Sequence, residues 1–187
     1  CAAIQRCRVG DEQDAVLVSW CSVDESLQNV LTDIIAAVSR HVEVLILVPT
    51  EDDLLTATKA LTQAGVHDGF EFLEVPVDTI WVRDYGPAVL REPGGGFRFV
   101  DARYGDGLRS NDDALPSTLG TIFHTPADFA PLLVDGGNLI TNGDGIAMAT
   151  SALLENNLHG GFNKHEIVAA FSDLYGSDEM VDLERLE

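Results

Sequence analysis

The chain has 187 residues, 45% of them hydrophobic and 22% charged, the balance of an ordinary globular protein with enough length for one good-sized domain. Its 31 acidic residues outweigh 11 basic ones, a formal net charge of -20. Nucleic acid and anionic membrane surfaces are excluded as natural partners, because their phosphates would be repelled; a cationic ligand is favoured, although solubility or salt adaptation explains such a charge equally well.

No apolar run approaches the length of a membrane-spanning helix. The start lacks the basic and apolar regions of a signal peptide, so a cytoplasmic location is expected, with Cys1 as the modified first residue of a processed lipoprotein as the alternative. The cysteines Cys1, Cys7 and Cys21 are odd in number, sit at one end and lack metal-finger spacing. A disulfide framework and structural zinc are therefore not expected.

In chain order, residues 15–20 form an apolar run of strand type. Asp24 is placed to cap a helix on which Leu27, Val30, Leu31, Ile34, Ile35 and Val38 recur at helical spacing. Residues 42–48 read as a buried strand stopped by Pro49, and Thr50 as the cap of a second helix, with Asp53 at the capping-box position. Leu54, Leu55, Thr58, Leu61 and Thr62 give that helix its face, and Gly65 ends it. Residues 70–76 are a third strand, so the first third reads β-α-β-α-β and predicts parallel pairing in a layered α/β fold.

The middle changes character. Residues 88–90 and 97–100 read as a hairpin around Pro93 and the glycines at 94–96. A polar stretch from Arg103 to Ser117 reads as a long functional or disordered loop. Short strands are predicted at 131–134, 138–140 and 146–149, with a turn at 142–145. Asn163 opens a last helix through Ile167, Val168, Ala170, Phe171 and Leu174, and a strand begins near Met180.

The glycines at 94–96 lie in a hairpin, not between a strand and a helix, so they are no phosphate fingerprint; the five histidines are scattered. No cofactor and no metal is expected. Two constellations remain. Trp81, Arg83 and Asp84 follow an apolar strand-like segment, which suits a pocket for a flat organic cation: a carboxylate grips the N–H edge while an aromatic ring covers the face. Asp135, Gly136, Gly137 and Asn138 follow a second apolar strand, where paired glycines let the backbone approach a ligand closely. The plainer alternatives are an ion pair of Asp84 with Arg83 or Arg103, and an ordinary turn acid at Asp135.

Residues 79–87 (Thr-Ile-Trp-Val-Arg-Asp-Tyr-Gly-Pro) resemble the W-x-R-D-x-G-P signature of agmatine deiminases and Porphyromonas-type peptidylarginine deiminases. Phe99 to Asp101, the 110–116 stretch (Ser-Asn-Asp-Asp-Ala-Leu-Pro), Asp135 to Asn138 and Leu154 to Asn156 follow in that family's order, over nearly the whole chain. Tyr85 and the 110–116 stretch look more like the peptidylarginine branch. The resemblance implies an α/β fold, a pentein-type propeller of ββαβ modules of which residues 1–187, as a single fragment, cover roughly the N-terminal half. It implies hydrolysis of a guanidine group through a cysteine thiouronium intermediate, on agmatine, free arginine or peptidyl arginine. Asp84 then matches a guanidinium-binding catalytic acid, Asp135 a second acid of the pocket, and Trp81 a wall. Asn138 follows Asp135 in the same motif. Arg83 orients or neutralises carboxylates, since it repels a cation. Gly136 and Gly137 support the turn.

The chain departs from the family in one respect. The Gly-His-x-Asp segment and the later nucleophilic cysteine have no counterpart in this sequence, and Cys21 reads as a small buried residue. The implied partners are a cationic guanidinium substrate and a complementary C-terminal segment or a second copy of the chain. The alternative is a non-catalytic guanidinium-binding or interaction module on the same fold.

Overall fold

The computed structural model describes residues 5–6, 13–92, 95–105 and 107–183. Its contacts divide into two compact units, Glu12–Val82 and Arg83–Glu187 with Cys1–Asp11.

The Glu12–Val82 unit contains β2 (Ala15–Ser19), α1 (Glu25–Val38), β3 (Glu43–Leu47), α2 (Glu51–Gln63) and β4 (Phe70–Leu73). The strands lie in the order β2-β3-β4 and pair in parallel, as the alternating pattern predicted. The central strand β3 buries four consecutive residues, Val44 to Leu47, which is why it reads as a continuous apolar run rather than an alternating one. Trp20, Ile35, Ala57 and Leu61 complete its core. Both helix starts follow the sequence. Asp24 accepts from the Leu27 N–H at 2.9 Å, and Thr50 Oγ1 accepts from the Asp53 N–H at 3.1 Å. Asp53 does more than cap: it is buried, accepts from the Thr50 hydroxyl at 2.6 Å and from the Ser22 N–H at 2.8 Å, and so ties α2 to the turn after β2. Cys21 is a core thiol that donates to the Val77 carbonyl at 3.5 Å.

The second unit carries β1 (Gln5–Arg6) beside β5 (Ala88–Arg91), β6 (Phe97–Arg103) and β7 (Ala127–Leu133), in the order β1-β5-β6-β7. The predicted hairpin is present: β5 and β6 are antiparallel, and the Glu92 N–H donates to Gly96 O at 2.8 Å. Gly95 takes φ +89°, which the turn needs and a side chain would resist. Residues 93–94 of that turn lie outside the described residues.

The expected loop at 103–117 is corrected. Ser110–Asp113 form α4 and Leu115–Ile122 form α5, which leads to β7, parallel to β6. Ser, Asn and Asp read as loop formers because their side chains compete for the backbone, yet here they begin helices. Pro116 sits in the first turn of α5, where its missing N–H has no partner to lose. Leu115 and Leu119, one turn apart, are fully buried beneath it.

Beyond β7, a short 3-10 turn at Gly136–Asn138 leads to β8 (Leu139–Thr141), β9 (Gly145–Thr150), α6 (Ser151–His159), α7 (Lys164–Tyr175) and β10 (Ser177–Leu183). The sheet order is β10-β9-β8; β8 and β9 are antiparallel, β9 and β10 parallel. This unit thus repeats one plan twice: a hairpin, a helical connection, and a third strand parallel to the second. A capping box opens α7: Asn163 accepts from the Glu166 N–H at 3.0 Å, and Glu166 accepts from the Asn163 N–H at 2.8 Å. One core spans both repeats, built from Leu90, Val100, Ala130 and Leu132 on one sheet, Ala147 and Ala149 on the other, and Ile167 and Phe171 on α7. Among the described residues, no helix is long and apolar enough to cross a membrane.

Candidate functional site

Asp84 does not sit on a strand end as expected. It lies on a one-turn helix, α3 (Val82–Tyr85). Too short to show a helical period, α3 reads in sequence as the tail of the preceding apolar segment. Asp135 lies two residues beyond the last residue of β7, at the start of the 3-10 turn. The turn brings these two acids together from 51 residues apart, close enough for their side chains to hydrogen-bond.

The glycine pair makes that approach feasible. A Cβ at Gly136 would meet the Arg83 carbonyl oxygen at 2.5 Å and that of Asp84 at 3.2 Å. At Gly137 it would collide with Asp84 Oδ1 and lie 3.1 Å from Asp135 Oδ1. Residues 136–137 therefore lie directly against α3, and only hydrogen fits on their inner sides. Asp135 Oδ1 accepts from the Gly137 N–H at 2.8 Å and locks the turn. Asn138 anchors its far end: its side-chain oxygen accepts from the Thr150 N–H at 3.1 Å, tying the turn to the end of β9.

The electrostatics follow from this packing. Partial burial pushes the Asp84 carboxyl above the ordinary carboxylate range. The charge of Asp135 and the hydrogen bond to it push in the same direction, while the Arg83 guanidinium and the Gly137 N–H pull it back. A carboxyl raised in this way is readily protonated, and it becomes an acceptor for a cation when it ionises. Arg83 is exposed and donates to the Leu139 carbonyl at 3.5 Å. It sits beside the acids and lowers the cost of their charge.

An open cleft of about 520 Å³ has Asp135, though not Asp84, on its wall. Asp135 and Asn138 line it together with Tyr104, Leu108, Arg109 and Asn156. Tyr104 is buried, its ring centroid 5.6 Å from that of Tyr85. Burial raises its hydroxyl pKa, the Arg109 guanidinium lowers it, and the charges of Asp84 and Asp135 raise it again. Arg109 donates to the Tyr104 hydroxyl at 3.1 Å, and the Tyr104 N–H donates to Asp113 at 2.5 Å. Trp81 lies in the Glu12–Val82 unit, with 57% of its surface exposed, and its N–H donates to Thr79 Oγ1 at 3.4 Å.

The arrangement thus unites Asp84, Asp135, Arg83, Gly136, Gly137 and Asn138 in one unit, while Trp81 belongs to the other. Sequence reasoning did not single out Tyr104; in the 103–117 stretch it left Arg103 and Arg109 open between meeting a substrate carboxylate and simple solvation. It also passed over Asn157, which is 2% exposed and exchanges two hydrogen bonds with the Leu133 backbone at 2.8 Å, holding the end of β7 from which Asp135 emerges. An asparagine one turn after Leu153, on the apolar side of α6, is the signal that was available. Among the described residues, no group of three or more His, Cys, Asp or Glu side chains is arranged to hold a metal ion.

Two carboxyls side by side suit a planar cation with several N–H donors. Comparison with known proteins adds the following. A family model described as Porphyromonas-type peptidyl-arginine deiminase matches residues 10–185. The chain is 27% identical, over 186 residues, to a putative agmatine deiminase of Selenomonas ruminantium, an alignment covering 89% of this chain and 47% of that protein. It is 25% identical to a protein of the same description from Yersinia pestis, over 92% of this chain and 50% of the other. Among solved structures, the agmatine deiminase of Enterococcus faecalis matches 97% of this chain and 53% of its own with a TM-score of 0.86 at 18% identity. The C. jejuni agmatine deiminase matches 97% and 55%, with a TM-score of 0.79 at 22% identity. These likenesses carry the mixed α/β fold, and the chain spans about half the length of the relatives it matches.

Proposed function

The chain belongs to the Porphyromonas-type peptidyl-arginine deiminase family, and from that premise we propose that it supplies the guanidinium-holding half of a guanidine hydrolase. The observation that carries this reading is the Asp84–Asp135 pair, backed by two glycines, with Asp135 on the wall of an open cleft. Ionised, the two carboxylates offer paired acceptors to the N–H edges of a guanidinium, and the net charge of -20 attracts such a cation. Asn138 and Arg83 hold the turn and balance the acids.

Chemistry requires more than these residues. A cysteine thiolate attacks the guanidinium carbon, ammonia leaves with a proton delivered by a histidine, and water then displaces the sulfur to give a ureido product. We assign that cysteine and histidine to polypeptide corresponding to the part of the relatives that this chain does not span. The whole assembly then closes as an α/β propeller of ββαβ modules, of which two are complete in the Arg83–Glu187 unit. Agmatine, which carries no carboxylate, fits the acidic field best, with free or peptidyl arginine as the other candidates. A non-catalytic guanidinium-binding module is the second reading, and it is favoured by the lack of a thiol or imidazole among the cleft-lining residues.

The test is a ureido-product assay with agmatine, arginine and a peptidyl arginine on the complete assembly. Turnover of one of them, reduced at least about a hundredfold by Asp84→Asn, is the expected result, since a charge-assisted contact to the reacting group is lost. Turnover that survives Asp84→Asn unchanged removes this acid from the chemistry. Binding without turnover selects the non-catalytic reading.

A further inference from the structure

The two helices of the Glu12–Val82 unit leave a groove between them that the proposed chemistry does not use. Its volume is about 630 Å³. Glu25, Asn29, Thr32 and Asp33 line it from α1, and Lys59 and Gln63 line it from α2. Spacings of three and four residues put each set on one side of its helix. Lys59 shares the groove with two acids and pairs with neither. Among the described residues, Glu25, Asn29, Asp33, Lys59 and Gln63 make no side-chain hydrogen bond or ion pair.

Thr32 is a second and independent observation. It is 7% exposed, and among the described residues its buried hydroxyl has no partner. A threonine inside a helix can return its proton to the carbonyl one turn back. Thr58, Thr118 and Thr121 do so in this chain, to the carbonyls of Leu54, Ala114 and Ser117 at 2.7, 2.9 and 3.1 Å. Thr32 does not. A buried hydroxyl left unpaired is unfavourable, and the groove is the place where this one can find a partner.

We propose that the groove between α1 and α2 binds a small zwitterion of the α-amino-acid class. Glu25 and Asp33 take its ammonium and Lys59 its carboxylate, while Thr32, Asn29 and Gln63 hydrogen-bond its remaining polar atoms. The charges select this class. A simple cation would face Lys59, a simple anion would face Glu25 and Asp33, and a neutral polyol would leave both signs uncompensated. The volume falls within the range of about 300–1,000 Å³ of small-molecule sites. The inference does not rest on the guanidinium reading, since none of these residues lines the cleft at Asp135.

Nitrogen-15 NMR of the folded chain, titrated with glycine, L-serine and L-asparagine, tests this. None of the three carries a guanidinium, and the shifted amides show which site is filled. Saturable shifts centred on α1 and α2 are expected for at least one of them. Ethanolamine keeps the ammonium and acetate keeps the carboxylate; each is expected to bind at least about tenfold more weakly. Asp33 and Lys59 are exposed, so Asp33→Asn and Lys59→Gln are expected to leave the circular dichroism unchanged and to weaken binding at least about tenfold. Thr32→Val keeps the shape and removes the unpaired hydroxyl. It is expected to weaken binding while thermal stability stays equal or rises, which a purely structural hydroxyl would not give. No saturable shift with any of the three amino acids, shifts centred on Asp135 and Asn138 instead, ethanolamine or acetate binding as tightly as the zwitterion, or unchanged binding by Thr32→Val would each overturn the proposal.

Discussion

Asn157 offers a clean test of how the site is held. It is 2% exposed, accepts from the Leu133 N–H at 2.8 Å, and donates to the Leu133 and Leu153 carbonyls at 2.8 and 2.9 Å. Asn157→Leu keeps the volume but orphans the Leu133 N–H and carbonyl at the end of β7. Each buried backbone group left unpaired costs about 1–3 kcal/mol, so a total loss of about 2–5 kcal/mol is expected, a large share of the roughly 5–15 kcal/mol of a typical domain. Asn157→Asp, which keeps the acceptor and loses the donors, should fall between the two. Urea denaturation followed by tryptophan fluorescence and circular dichroism reads the change as a shift in midpoint at constant slope. A loss below about 1 kcal/mol for the leucine variant would show that β7 ends are held by something other than this amide, and the reasoning would be wrong.

Three further outcomes follow from the same geometry. Gly137→Ala puts a methyl group against the mobile end of Asp84, so thermal stability should change little while guanidinium affinity, read by calorimetry, falls at least about tenfold; Gly136→Ala meets the rigid Arg83 carbonyl and should instead cost about 1–3 kcal/mol in denaturation. Because the Asp84 carboxyl titrates above its usual range, the folded state binds its proton more tightly than the unfolded chain. This group therefore contributes stability that declines as pH rises from the ordinary carboxylate range through its folded value, while cation affinity rises through the same window; Asp135→Asn should move that rise to lower pH in a calorimetric pH series. Asp53→Ala should lower the denaturation midpoint by about 1–3 kcal/mol, since the Ser22 N–H and the Thr50 hydroxyl both lose their acceptor.

How much of this could be read from the sequence depends on the length scale of each signal. The β-α-β-α-β start was legible because β3 is a continuous apolar run and Asp24 and Thr50 carry explicit cap chemistry. The hairpin and the α7 capping box were legible for the same local reason. α4 and α5 were not, since Ser110 to Asp113 favour loops by propensity, and burial of Leu115 and Leu119 overrides that preference. α3 is a single turn, too short to show a period. In the site, both acids and both glycines were named from motif context, but why the glycines are needed became clear only when the turn was seen lying on α3. Tyr104 was missed, and the bond of Arg109 to it was not foreseen, because both depend on folding of the 103–117 stretch, a tertiary event with no local pattern.

The central claim is that the Asp84 carboxyl, held above the ordinary carboxylate range by burial and by Asp135, gives up its proton when a guanidinium binds. Carbon-13 NMR of the aspartate side-chain carboxyls, titrated with pH in the absence and presence of agmatine, reads this directly. The account predicts that the Asp84 resonance titrates above the ordinary carboxylate range without agmatine and moves to lower pH when agmatine is added. Carboxyl signals at both positions that ignore agmatine, in a folded protein at saturating concentration, would contradict it.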